Sequence, residues 1–86
     1  MIITGIPLLR LKTRPVDDQR YISAWISLWS SEKVERIEDI PSRYPNLVRV
    51  DPRTFEFPIF GANLVVTASV FTDPMILVIR AVHHDK

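Results

Sequence analysis

The only two histidines of the chain stand side by side near its end, in Arg80-Ala81-Val82-His83-His84-Asp85-Lys86. An imidazole titrates close to neutral pH, so His83 or His84 suits proton transfer as a general base or general acid. Arg80 and Lys86 bracket the pair with positive charge, and Asp85 supplies a carboxylate beside it that could orient an imidazole. In a strand, neighbouring side chains point to opposite faces, so only one of the two histidines is expected to face a site. The competing reading of the same residues is a solvated, polar end of the chain. A metal site built from His83, His84 and Asp85 is disfavoured, because adjacent ligands on a free tail lack the outer hydrogen bonds that orient metal ligands. No metal and no small-molecule cofactor is expected.

Other chemistries lack their residues. There is no cysteine, which removes disulfides, thiolate metal sites and cysteine nucleophiles. Gly5 and Gly61 are the only glycines, so no phosphate-cradling glycine loop exists. No Ser-His-Asp spacing and no helical pair of metal ligands is present.

The histidines must be positioned by the segment that precedes them. From Phe55 to Val82 three apolar, β-branched-rich runs, Phe55 to Phe60, Leu64 to Phe71 and Met75 to Val82, are separated by Gly61-Ala62-Asn63 and Thr72-Asp73-Pro74. Turn-forming residues between such runs predict a β-meander. Asn46 to Val50 reads as a further short strand and Asp51-Pro52-Arg53 as a turn. Upstream, Tyr21, Ile22, Trp25, Ile26, Leu28 and Trp29 recur at helical spacing behind Asp17-Asp18, which predicts a helix from about Asp18 to Trp29, closed by Ser30 and Ser31. The two tryptophans, one turn apart on this stripe, read as core residues. Tyr21 and Tyr44 read as packing residues with their hydroxyls at the surface. Ile40 to Pro45 allows one short helical turn, with Pro41 near its start and Pro45 as its stop. Met1 to Lys12 has two readings: a short helix capped at Thr4 with Pro7 in its first turn, or a strand over Met1 to Thr4 with an irregular continuation. The expected fold is α+β: one domain over residues 1–86, with a small antiparallel sheet of three to four strands packed against two N-terminal helices.

Composition sets the remaining bounds. Eighty-six residues bury only roughly 60–65% of their unfolded surface, enough for one small core. The hydrophobic share of 47% and the charged share of 24% are those of a globular chain, and no apolar run reaches the ~18 residues that cross a bilayer. A soluble, cytoplasmic protein without a membrane association is the expectation. The net charge of +1 is no signature of a dedicated nucleic-acid binder, so the distribution of cations matters more than their sum. Arg10, Lys12, Arg14 and Arg20 cluster near the start, where they fit an RNA groove or an acidic partner equally well. Arg49 and Arg53 flank the Asp51-Pro52 turn and could touch phosphate.

The element order carries a set of further matches: Ile3-Thr4 near the start, Ala24-Trp25 in the main helix and Tyr44-Pro45 after the second helical segment. Phe57-x-Ile59-x-Gly61 then leads into a hydrophobic strand, and Ile79-Arg80 runs on to His83 and Asp85-Lys86. In order and spacing this resembles the HigB-type toxins of the RelE/ParE toxin-antitoxin superfamily, over essentially the whole chain. The resemblance implies a RelE/ParE-like fold and a ribosome-dependent mRNA endonuclease that needs no metal and inhibits translation. It also implies a helix-turn-helix antitoxin as partner. On that reading His83 or His84 removes the 2′-hydroxyl proton or protonates the leaving oxygen. Arg80 and Lys86 hold the phosphate, Asp85 orients an imidazole, and Arg49, Arg53, Arg10 and Lys12 bind RNA.

The chain departs from the family pattern in three places. The stretch from Gly61 to Ser69 carries no cation where family toxins hold the RNA backbone with Lys and Arg. Val78 stands where the last strand has tyrosine, and the tail lacks the Glu and Tyr that follow the family histidine. Two alternatives follow: a catalytically degenerate relative that acts only by binding a protein partner, and a ParE-like gyrase inhibitor.

Overall fold

The first twelve residues hold a strand and a short helix in succession, but Thr4 ends the strand and the helix cap is Gly5, without a side-chain hydrogen bond. In the computed structural model, which describes residues 1–44, 46–59, 61–72 and 74–84, a short strand β1 (Ile2–Thr4) is followed at once by helix α1 (Ile6–Leu9) and a tight helical turn over Leu11–Thr13. Gly5 makes the change of direction possible. Its φ is 138°, in the region open to glycine, and a Cβ at this position would stand 2.3 Å from the Ile79 carbonyl oxygen. Chain and sheet therefore approach each other more closely than any side chain would permit.

Helix α2 (Val16–Ser31) extends the expected span at both ends. Pro15 precedes its first turn, and Asp17 and Asp18 lie within that turn, where carboxylates complement the exposed N–H groups of the helix start. Ile22, Trp25 and Trp29 are buried, whereas Tyr21 and Leu28 are exposed, so the core-facing stripe is narrower than the run of apolar residues suggested. Helix α3 (Asp39–Arg43) adds Ile40 to the core. Its expected stop, Pro45, lies outside the described residues.

Four further strands follow: β2 (Val48–Asp51), β3 (Thr54–Ile59), β4 (Leu64–Phe71) and β5 (Ile76–His84). The sheet has the order β1-β5-β4-β3-β2. This corrects the expected three-to-four-stranded antiparallel sheet and its two helices: among the described residues there are five strands and three α-helices, and the sheet is mixed. The difference is β1, which pairs parallel to β5 in the register Ile2↔Ile76, Ile3↔Leu77, Thr4↔Val78. Three residues are too few to show a strand's alternation, and a parallel partner lies far away in sequence, beyond the helical crossover such pairing demands.

One face of the sheet carries the core. Phe57 meets Trp25 and Trp29 edge-on, with ring centroids 5.2 and 5.4 Å apart, and Phe55, Leu64, Val66, Val70, Leu77 and Ile79 are fully buried around them. Tyr44 packs against the same cluster, and its hydroxyl donates to the Pro58 carbonyl, so it is not at the surface as expected.

The register of β4 against β5 contains the feature that matters most for the site. Ala68 pairs with Ile79 but Thr67 pairs with Ala81, so Arg80 is an extra residue on β5, a β-bulge. Before the bulge Leu77 and Ile79 face the helices. After it the parity is reversed, and Val82 and His84, opposite Val66 and Leu64, take that side.

Candidate active site at the end of the last strand

His83 and His84 both belong to β5, so the strand runs further than its apolar residues indicated and separates the two imidazoles. His83 is opposite Val65 and exposed on the face away from the helices. His84 lies on the helix side, where its Nε2 stands 3.5 Å from Oδ2 of Asp18 in the first turn of α2. Asp18 is 9% exposed. The same Oδ2 lies 3.9 Å from an Arg14 guanidinium nitrogen, and it makes no closer hydrogen bond among the described residues. Arg14 in turn donates at 2.6 Å to the Val82 carbonyl, on the stretch of β5 that has run past the end of β1. The segment that carries Arg14 is held by Gln19, whose side-chain amide donates to the Arg14 carbonyl at 2.7 Å.

Arg80, pushed out by the bulge, is exposed on the other face. Its Nε donates to Ser69 Oγ at 3.3 Å, and Ser69 pairs with Thr54 Oγ1 at 3.0 Å across the sheet. This leaves the two terminal nitrogens of Arg80 without a partner among the described residues. Beside β5 a groove of about 510 Å³ is walled by Ile6 and Pro7 of α1, by Arg10, Thr13 and Arg14, and by Arg80, Ala81 and Val82. Arg10 is exposed there, with no side-chain partner among the described residues.

The chain matches no protein-family model and no curated protein.

Not all the residues selected from sequence come together. His83, His84 and Arg80 share the last half of β5, and Arg10 reaches its flank. Lys12 is exposed on the neighbouring turn but does not line the groove. Asp85 and Lys86 lie outside the described residues. Arg49 and Arg53 belong elsewhere: β4 and β3 stand between β2 and β5. The Arg49 guanidinium lies 5.3 Å from the Phe55 ring centroid and donates to the Pro52 carbonyl at 2.8 Å. That of Arg53 is 5.9 Å from the Phe71 ring, at the end of β4 that pairs with the start of β5. Both arginines thus cover aromatic faces at the far end of the sheet from the histidines. The structure does not bring them beside His83 and His84.

The sequence reading missed Asp18 as a site residue, taking it only as a helix-starting residue. An aspartate in a helix's first turn is so common a capping choice that nothing local marks its contact with a histidine 66 positions later. Among the described residues no three His, Asp or Glu side chains converge as metal ligands, and no helix is long and apolar enough to cross a membrane.

Chemically, the end of β5 offers an exposed imidazole 3.5 Å from a buried carboxylate and a second imidazole on the opposite face, and Arg80 bonds Ser69 on β4. A base oriented by a third group is the arrangement that activates a hydroxyl, and free guanidinium donors suit an anionic transition state.

Proposed function

We propose that this chain is a toxin of the HigB type with a RelE/ParE-like fold. It cleaves messenger RNA on the ribosome without a metal ion, acts in the cytoplasm and is neutralised by a helix-turn-helix antitoxin. The observation that carries the reading is the position of His84 at the end of β5, with its Nε2 3.5 Å from the buried Asp18 carboxylate. In the reaction an imidazole takes the proton of a ribose 2′-hydroxyl, and the 2′-oxygen bonds to phosphorus. The 5′-oxygen then leaves as it gains a proton, and a 2′,3′-cyclic phosphate remains. His84, with Nε2 3.5 Å from Asp18 Oδ2, is the imidazole that has a carboxylate beside it. Arg80 supplies charge to the non-bridging oxygens.

Expression from a tightly controlled promoter should arrest growth and translation, and the purified protein should cut message only when ribosomes are present. Replacing His83 and His84 together by alanine should remove both effects, with His84→Ala alone giving the larger share of the loss. Unchanged toxicity in the double variant would move the site elsewhere.

The second reading, a member of the same fold that works only by binding, is favoured by β4. Its residues Leu64 to Phe71 include no cation, and Val65 and Ser69, on the face away from the helices, are buried. A protein that is harmless and cuts no message, yet binds a helix-turn-helix partner, would establish it. Gyrase-dependent DNA damage in place of translation arrest would identify a ParE-like inhibitor.

A further inference from the structure

We propose that Arg14 is a positioning residue: its bond to the Val82 carbonyl fixes the outer edge of β5 where no strand does, and so sets His84 beside Asp18. β5 continues to His84, but β1 ends opposite Val78, so from there on the outer edge of the sheet has no neighbouring strand. An unpaired strand end frays unless something else takes its backbone groups. Arg14 takes one of them, donating from a terminal guanidinium nitrogen to the Val82 carbonyl at 2.6 Å. The donor is itself held in place. Pro15 confines the residue before it to extended backbone, and Arg14 has φ −88° and ψ 159°. Its N–H donates to the Leu11 carbonyl at 3.1 Å, and its carbonyl accepts from the Gln19 side chain at 2.7 Å. The Arg14 side chain is 25% exposed, and its other terminal nitrogen lies 3.9 Å from Asp18 Oδ2. One guanidinium thus faces both the backbone of β5 and the carboxylate that His84 approaches to 3.5 Å. The His84 side chain is 64% exposed, so its place depends on its backbone rather than on packing. Val82 and His84 lie on the same side of the strand beyond the bulge, so fixing the first directs the second.

A part for Arg14 in cleavage rests on the endonuclease reading; the tie to β5 does not. Amide hydrogen exchange, and the nuclear Overhauser contact between the His84 ring and the Asp18 methylene, are measured in the full chain and its variants. Arg14→Met keeps a long side chain and removes the donors. It should speed exchange over residues 80–84 about tenfold more than at the buried Phe57 and Val66, whose rates report overall stability, and it should abolish the ring contact. Asp18→Asn leaves the Val82 bond in place, so residues 80–84 should keep their parental rates relative to the core. Arg36→Met, which removes an exposed guanidinium paired with Asp39, should leave both readouts unchanged. In the ribosome-dependent assay Arg14→Met should lower kcat about tenfold and leave KM within about twofold, because Arg14 orients the site without gripping the message.

Faster exchange shared equally by residues 80–84 and the core, or a ring contact that survives in Arg14→Met, overturns the proposal and leaves Arg14 as an ordinary stabilising residue. So does Asp18→Asn if it frees residues 80–84 as Arg14→Met does, since the carboxylate would then be the tie. A KM that rises while kcat holds makes Arg14 a message-binding residue and overturns the positioning role as well. The local exchange effect in a chain whose parent cuts no message keeps the tie and removes the endonuclease. Should Arg14→Met fail to fold, Arg14→Gln, whose shorter amide stops short of Val82, carries the same comparison.

Discussion

Two side chains tie the chain to its own backbone, and both give the fold a pH signature. The Tyr44 hydroxyl donates to the Pro58 carbonyl, and burial raises the phenol above its usual range. A group whose folded pKa is raised contributes stability that is complete below its unfolded value of about 10 and is lost as pH climbs through the folded value. Unfolding measured against pH should therefore show stability falling above about pH 10, and Tyr44→Phe should lack that component while costing about 1 kcal/mol at neutral pH. Asp51 works in the opposite direction. It accepts from the backbone N–H groups of Arg53 and Thr54 at 2.9 and 2.8 Å, and the Arg53 bond above all holds its carboxyl below the ordinary range. Its contribution is present above the unfolded carboxylate pKa and disappears as pH falls through the depressed folded one. Asp51→Asn should remove this acid-side loss from the β2–β3 turn, and an unaltered acid limb in the variant would count against the assignment. Neither partner was visible in the sequence, where Asp51 read as a turn residue and Tyr44 as a surface hydroxyl. His83 and His84 were visible as a pair, but not which of them meets α2.

That choice is made by the bulge at Arg80, and no residue type announces it. In uninterrupted alternation from Leu77 and Ile79, His83 would face the helices; one extra residue exchanges the two imidazoles. The three strands of the meander were legible because Gly61-Ala62-Asn63 and Pro74 punctuate β-branched runs, and α2 was legible from its tryptophans. β1 was not legible as a sheet member, since its partner is 74 positions away in sequence and its three residues carry no period. Its docking depends on Gly5. Gly5→Ala should push β1 and α1 off β5, because the new methyl meets the Ile79 carbonyl and the backbone conformation alone costs roughly 1–3 kcal/mol for a residue with a side chain. A urea midpoint like that of the parent would refute this account of the corner.

Taken as one object, the protein sets its two polar clusters at opposite ends of a five-stranded sheet. Arg49 and Arg53 lie over aromatic rings at one end, and the histidines with Arg14 and Asp18 lie at the other. The parallel pairing of the first and last strands brings Arg14 to the histidine-bearing end of β5, a juxtaposition that sequence distance concealed. If that end of the molecule is a ribonuclease site, its chemistry belongs to the imidazoles and depends on the ribosome to present the message. The decisive assay is cleavage of a defined message by the purified chain with and without ribosomes, run beside a His83→Ala, His84→Ala double variant whose folding is checked by its melt. Cuts that require ribosomes and vanish in the folded double variant are the predicted result. Intact message with the parent protein, or equal cutting by the folded double variant, would contradict it.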